Sequence, residues 1–129
     1  MSGHEHHWGT EVQNELRPLA TELRRAIPDV LQAFAELSKA AMAPGALDER
    51  TKELIAFAIA ITERCDGCIA AHARNAVRRG VTREQVAEMI GVTILMNGGP
   101  ATVYGPRALD AFDDYSAAAA AVPEATPAG

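Results

Sequence analysis

Apolar residues recur at intervals of three and four along much of this chain, the spacing typical of helices that bury one face. Val30, Leu31, Phe34 and Leu37 follow this spacing after Pro28, which suits the first turn of a helix. Alanine, the best helix former, is abundant, whereas aromatic residues make up only 5% of the chain. The pattern therefore predicts an all-α protein, a compact bundle of five to six helices.

Turn and capping residues divide this pattern into separate helices. The first is placed after Pro18, and Asp48 can accept an orphan backbone N–H at the start of another. Thr82 and Gln85 have the spacing of a capping box, and Gly80 suits the left-handed end of the preceding helix. The predicted helices cover about residues 19–27, 28–42, 48–62, 65–80, 82–96 and 101–116.

Two of these helices are too apolar for a free surface. Residues 54–61 contain no polar position, and residues 90–96 contain a single hydroxyl. A helix that is apolar on all sides is buried on all sides, and a domain of five or six helices does not readily enclose two. Alanine side chains also bury little apolar area each. We therefore predict that the chain forms a homo-oligomer.

The length of 129 residues fits a single domain. Residues 1–10 are a polar, histidine-containing segment that we predict to be a disordered lead-in. Residues 118–129 run from alanines into proline and glycine, with little to pack, and we predict a flexible tail. Residues 11–117 are then the folded domain.

Charge and hydropathy narrow the class of function. Twelve Lys and Arg against seventeen Asp and Glu give a net charge of −5, whereas a nucleic-acid binder presents a basic face. No apolar run approaches the roughly 18 residues of a membrane span. The N-terminus lacks the basic start and apolar middle of a secretory signal. We expect a cytoplasmic protein that binds neither nucleic acid nor membrane.

The residues that can carry chemistry lie in one stretch, at Glu53, Cys65, Cys68 and His72. In a cytoplasmic protein, paired cysteines at this spacing indicate redox chemistry or metal binding. Cys68 and His72 share one face of a helix, so the imidazole can take the thiol proton. Cys65 lies at the helix start, where the dipole favours a thiolate, and is near enough to Cys68 to form a disulfide.

Glu53 joins this group only if the chain folds back. On one straight helix it would lie about 22 Å from Cys68, at 1.5 Å per residue. A fold-back near Arg64 reduces the axial mismatch between Glu53 and His72 to about 4–5 Å, which two side chains or one water can span. Glu53 would then orient and polarise His72, as the third group of a catalytic triad does. Asp66 is interpreted as a polar residue of the bend and a candidate cap.

The pattern of Glu53, Cys65-x-x-Cys68 and His72 resembles the core motif of the alkylhydroperoxidase D-like and carboxymuconolactone decarboxylase superfamily. Residues 28–115 as a whole are similar to small members of that family. The resemblance implies an all-α fold, assembly into trimers or hexamers, and thiol-dependent reduction of a small hydroperoxide. It implies that Cys68 is the peroxidatic cysteine and Cys65 the resolving one, more exposed to the electron donor. Glu53 and His72 would form the proton relay.

Gly67 departs from the family pattern, because the well-studied peroxidases have a histidine immediately before the second cysteine. The departure removes one member of the relay and loosens the loop between the thiols. No flavin, nicotinamide or haem motif is visible, so we predict no cofactor. Electrons are expected from an external dithiol, either a lipoyl group or a thioredoxin-like protein.

Other uses of the same residues stay open. Cys65, Cys68 and His72 are zinc ligands by type, with Glu53 as a conceivable fourth, although no second ligand pair follows along the chain. Each cysteine can also be a small buried hydrophobe, His72 a core histidine bonded to a carbonyl, and Glu53 a solvated acid. The alternative functions are a lyase acting on a small lactone and an oligomeric zinc- or ligand-binding protein without turnover.

Overall fold

The computed structural model describes residues 5–121, which form six α-helices and no strand. The helices are α1 (Thr10–Ala26), α2 (Pro28–Met42), α3 (Glu49–Thr62), α4 (Asp66–Arg78), α5 (Arg83–Asn97) and α6 (Gly99–Ala121). The predicted all-α class is confirmed. Within this part of the chain, no helix has both the length and the apolar character that crossing a membrane requires.

The hydrophobic core lies where α3, α4, α5 and α6 pack together. Phe57 and Ile61 of α3 and Ile69 of α4 are fully buried in it. Small residues let the helices approach closely, and a Cβ atom added at Gly105 of α6 would lie only 2.7 Å from Cγ2 of Ile90 on α5. Further buried small residues of the core are Ala60, Ala73, Ala76, Ala101, Ala108 and Ala111.

A sharp turn between α3 and α4 reverses the chain. Arg64 has a φ of 55°, in the left-handed region that non-glycine residues seldom adopt. Cys65 follows as the N-cap of α4, its sulfur accepting the backbone N–H of Cys68 at 3.3 Å. The fold-back near Arg64 is therefore present. The cap, however, is Cys65 and not Asp66, because Asp66 is already the first residue of the helix.

The other predicted helix ends agree with the structure. Asp48 accepts the N–H of Thr51 at 2.8 Å and so caps α3. Thr82 and Gln85 form the reciprocal capping box of α5. Gly80 has a φ of 76° and ends the turn after α4 in the left-handed conformation. These signals are local, which is why the sequence alone reveals them.

The predicted start of the first helix is wrong. α1 begins at Thr10, and Pro18 lies inside it on the exposed side instead of marking its start. Tertiary contacts fix the true start, since the N–H and Oγ1 of Thr10 donate to Oδ2 of Asp114 at 2.7 and 2.8 Å. A local sequence pattern does not reveal a contact between residues so far apart in the sequence.

The two ends of the chain also differ from the prediction where they are described. Trp8, within the predicted lead-in of residues 1–10, packs against the core and donates its N–H to Oδ2 of Asp110 at 2.9 Å. The last helix begins at Gly99 and continues to Ala121, so it takes in the start of the predicted tail. Residues 1–4 and 122–129 lie outside the described part of the chain.

The two very apolar helices are buried on one side only in the single chain. The outward faces of α3 and α5 border an open apolar groove of about 370 Å³, which we call the α3/α5 groove. Its lining includes Leu54, Ile55, Ile59, Met89, Val92 and Met96. The expectation that these helices are enclosed on all sides is therefore not met within one chain.

The apolar face predicted for α2 is present but unpartnered. Val30, Phe34 and Leu37 are each more than 60% exposed. Among the described residues, neither α1 nor α2 has a side chain in the buried class. Helices α1 and α2, which we call the α1–α2 segment, therefore carry a hydrophobic stripe that the single chain does not bury.

Candidate functional site

The two cysteines are joined by a disulfide across the first turn of α4, with their Cα atoms 5.2 Å apart. Their position is the N-terminus of a helix, where unpaired N–H groups and the dipole favour negative charge. The N–H of Cys68 already points at the sulfur of Cys65. The site is thus built to stabilise thiolates once the disulfide is reduced.

The two cysteine residues differ in exposure. Cys68 is exposed, whereas Cys65 is partly buried in the single chain. The resemblance implies that Cys65 is the one nearer the electron donor, and that assignment stays a prediction. Cys65 is the N-cap of α4, and its sulfur accepts the N–H of Cys68.

Glu53 and His72 meet across the fold-back. Nδ1 of His72 lies 2.6 Å from Oε1 of Glu53, and the Glu53 side chain is 0% exposed. Glu53 is therefore not the solvated acid of a first helical turn, and His72 is bonded to a carboxylate and not to a carbonyl. An acid this deep is held only with partners, since burying an unpaired charge is costly.

The second partner of Glu53 is Arg79, which the sequence prediction missed. Nη1 of Arg79 donates to Oε2 of Glu53 at 2.8 Å, and Nε lies 3.6 Å from Oε2 of Glu49. Arg79 follows His72 by seven residues, which places both on one face of a helix. That spacing was the available signal, but a cation at the end of α4 is also explained by the helix dipole alone.

These contacts fix the roles of the two imidazole nitrogens. A carboxylate accepts hydrogen bonds, so Nδ1 of a neutral His72 carries the hydrogen that bonds Glu53. Nε2 is left with the lone pair and can take a proton. His72 stands one helical turn after Cys68, so the two side chains lie on the same face of α4.

Gly67 lies between the cysteines, where the resemblance leads one to expect a histidine. A Cβ atom added there would come within 3.1 Å of Cδ2 of Leu16 on α1. Cδ2 is the far end of a flexible side chain on a residue that is 46% exposed, so a side chain at position 67 would require Leu16 to move by a few tenths of an ångström.

The zinc alternative finds no support in the described geometry. Over residues 5–121, no three side chains of His, Cys, Asp or Glu come together closely enough to hold a metal ion. Glu53 is engaged by His72 and Arg79, and the two cysteines are engaged with each other.

Comparisons with other proteins agree with this architecture. The family model of the carboxymuconolactone decarboxylase family matches residues 28–111. An uncharacterised protein of Cupriavidus necator is 39% identical over 110 residues, which cover 80% of this chain and 97% of the relative. A Paracoccus denitrificans protein, described as uncharacterised protein 4 in the cox locus, is 42% identical over 97 residues, covering 75% of this chain and 87% of the relative.

Two solved structures are similar over most of the chain. A carboxymuconolactone decarboxylase family protein from Legionella pneumophila, in its apo form, has a TM-score of 0.80 and 36% identity, covering 83% of this chain and 96% of that one. A Thermotoga maritima protein has a TM-score of 0.73 and 24% identity, covering 85% and 99% respectively. The second likeness shows the fold alone.

Proposed function

The chain belongs to the carboxymuconolactone decarboxylase family, and from that premise we propose that it is a thiol-disulfide oxidoreductase that reduces small hydroperoxides. The observation that carries the proposal is the contact between Glu53 and His72, one helical turn after a cysteine pair. Thiolate chemistry needs a nucleophile, a base, a group that orients the base and a second thiol. Cys68, His72, Glu53 and Cys65 supply these in turn.

In the proposed cycle the Cys68 thiolate attacks the outer oxygen of the hydroperoxide. The O–O bond breaks, Cys68 is oxidised to a sulfenic acid, and the alkoxide leaves as an alcohol after gaining a proton. The Cys65 thiol then condenses with the sulfenic acid and releases water, which leaves the Cys65–Cys68 disulfide. An external dithiol reduces that disulfide by exchange and is itself oxidised.

In this cycle His72 is the group that accepts and returns the proton. Nε2 takes the Cys68 thiol proton and returns it to the leaving alkoxide, so the imidazole ends the step neutral. Glu53 orients the ring through Nδ1, and Arg79 offsets the charge of the buried carboxylate. Because Gly67 replaces the family histidine, this relay is one member shorter than in the well-studied peroxidases.

The electron donor in this proposal is a dithiol outside the chain, either a lipoyl group or a thioredoxin-like protein in the cytoplasm. Exposure of Cys68 supports direct attack by such a donor on its sulfur, which frees Cys65 as the leaving thiol. No bound cofactor enters the cycle, since every electron passes through sulfur.

We further propose that the chain assembles as a homotrimer or homohexamer. The support is the hydrophobic surface of the single chain, where the stripe on α2 and the α3/α5 groove stay open to solvent. Contiguous exposed apolar patches of this kind mark protein interfaces. Sedimentation of the purified protein over a range of concentrations tests this assembly, and a monomer at every concentration would contradict it.

The proposed function is tested by the consumption of an organic hydroperoxide with a dithiol reductant. We expect turnover by the wild type, loss of turnover in Cys68→Ser, and a single round without recycling in Cys65→Ser. Equal rates for the wild type and Cys68→Ser would contradict the mechanism. Conversion of a small lactone at the same rate in both proteins would instead favour the lyase alternative.

A further inference from the structure

A second ion pair, separate from the one between Glu53 and Arg79, lies at the start of α4. Asp66, the first residue of α4, lies between the two cysteines in sequence. Nη1 of Arg107 on α6 lies 3.3 Å from Oδ1 and 3.5 Å from Oδ2 of this carboxylate. Neither residue belongs to the Glu53–His72 relay.

Two aromatic rings hold the Arg107 guanidinium in place. Its Cζ lies 4.0 Å from the ring centroid of Trp8 and 4.5 Å from that of Tyr104, both within the range of cation–π attraction. Trp8 is itself tied to α6, since its backbone N–H donates to Asp110. We call Trp8, Tyr104 and Arg107 the aromatic clamp. A guanidinium stacked in this way loses little freedom when it meets a carboxylate.

We propose that Arg107 is a positioning residue for the cysteine pair, holding Asp66 in place and offsetting its negative charge beside the thiols. The inference deepens the proposed function, on which it rests for its meaning but not for its test. A carboxylate adjoining Cys65 opposes the formation of a thiolate, because like charges disfavour each other. A guanidinium on that carboxylate cancels much of this opposition.

The contact also has a mechanical consequence for the reduced protein. The disulfide closes the first turn of α4 covalently, and reduction removes that closure. The Arg107–Asp66 contact then ties the start of α4 to α6 and keeps Cys65 within reach of Cys68. We therefore expect Arg107 to favour both the thiolate and the return of the disulfide.

The other charged residues near the cysteine pair either form ion pairs of their own or are exposed to solvent. Glu53 of α3 reaches the site only through His72 and is paired with Arg79. Glu63 and Arg64, in the turn between α3 and α4, are exposed. Among the described residues, α1 places the apolar Leu16 nearest to Gly67, α4 carries Asp66 and His72, and α6 carries Arg107. On the far side of the clamp, the His6 ring meets the Trp8 ring, and His7 lies 3.5 Å from Asp110.

The test is the pH profile of Cys68 alkylation by iodoacetamide, a neutral reagent, in reduced protein with Cys65→Ser as the background. In Arg107→Gln we expect the midpoint to rise and the rate near neutral pH to fall about threefold to tenfold, since one pKa unit changes the thiolate fraction about tenfold. In Asp66→Asn the rate should rise. The double variant should return close to the parent protein.

Two further variants separate positioning from general stability. Arg83→Gln breaks another interhelical Arg–Asp pair, 2.9 Å from Asp113 and away from the cysteines, and should leave the profile unchanged. Arg107→Lys keeps the charge and should recover most of the rate. The Arg107→Gln effect should also shrink as salt rises, because these groups are partly exposed and salt screens them.

The results that overturn the inference are equally definite. An unchanged midpoint in Arg107→Gln, or the same shift in Arg83→Gln, removes Arg107 from any special role. Emission from Trp8, the one tryptophan of the chain, checks the clamp itself and should change in Arg107→Gln. Alkylation requires no hydroperoxide, so failure of the proposed function would leave the inference about Arg107 standing, and the reverse also holds.

Discussion

The apolar side chains of helices α3–α6 and those of the α1–α2 segment differ in how far the single chain buries them. In the first, Phe57, Ile61 and Ile69 are fully enclosed by neighbouring helices of the same chain. In the second, Phe34 is 66% exposed and Leu19 67%, with no buried side chain on either helix. Phe34 belongs to a clear apolar face at helical spacing and is still uncovered, so periodicity identifies an apolar face without showing what covers it.

The site lies where the two regions meet. Its acid stands on α3, and its imidazole and cysteines stand on α4 or at its N-cap, whereas Leu16 of α1 is the residue nearest to a Cβ atom added at Gly67.

The largest expected effect is the loss of Phe57. Phe57→Ala removes a fully buried ring and should lower the free energy of unfolding by about 3–5 kcal/mol, whatever the protein concentration. Phe34→Ala, the matched change on α2, should cost under about 0.5 kcal/mol in dilute solution and weaken assembly at high concentration. Chemical denaturation at two protein concentrations measures both. Equal costs at every concentration would erase the distinction between the regions.

A second pair of variants tests how tightly the enclosed half is packed. Gly105→Ala places a methyl group 2.7 Å from Cγ2 of Ile90 and should destabilise by about 1–3 kcal/mol. Gly91→Ala, in the middle of α5, meets nothing within 4 Å and should stabilise by about 0.5–1 kcal/mol. Thermal unfolding distinguishes them, and a stabilising Gly105→Ala would show that α5 and α6 are less closely packed than described.

Lys52 links α3 to the end of α2, in addition to the contacts that join α1 to α4 and α6. Its Nζ donates to the carbonyl oxygens of Ala41 at 2.9 Å and Ala43 at 2.5 Å, at the end of α2. Lys52→Met should cost about 1 kcal/mol and speed hydrogen exchange in α2 while leaving the amides of α4 protected. Lys39→Met, on α2 itself, should change neither. Faster hydrogen exchange of the α4 amides as well would mean that the α1–α2 segment and the core unfold together.

The smallest effect concerns the cap at the start of α3. The N–H of Thr51 holds the pKa of Asp48 below its ordinary value of 3.8. Since the folded pKa is the lower one, the carboxylate contributes stability above its ordinary pKa and loses it as the pH falls through the folded value. The wild type should therefore melt slightly above Asp48→Asn at neutral pH, and the gap should close in acid. A gap that widens in acid would reverse the sign.

The helix ends that were predicted correctly are those determined by residues close together in the sequence. Asp48 with Thr51, Thr82 with Gln85, and Gly80 are short-range signals. The start of α1 was mispredicted because it depends on Asp114, at the far end of the sequence. The outer face of α3, whose apolar pattern requires a cover, is left open by the single chain, and a sequence pattern does not show what covers such a face.

The sequence named the residues of the candidate site, but it predicted the contacts among them less completely. Glu53 and His72 meet as the fold-back requires. The contact of Arg79 with Glu53 was not predicted because a cation at a helix end is already explained by the helix dipole. The contact of Arg107 with Asp66 was not predicted because it joins two separate helices. The cap of α4 is made by the sulfur of Cys65, which no standard capping pattern predicts.

In the proposed mechanism, Glu53 acts through His72 to activate Cys68. We would measure the rate of Cys68 alkylation in reduced protein and compare Glu53→Gln with Glu49→Gln. Both variants remove an acid near Arg79, but of these two acids only Glu53 contacts His72. We expect at least about a threefold slower reaction near neutral pH for Glu53→Gln alone, a modest share of what proton transfer can contribute. Equal rates in the two variants would contradict this mechanism.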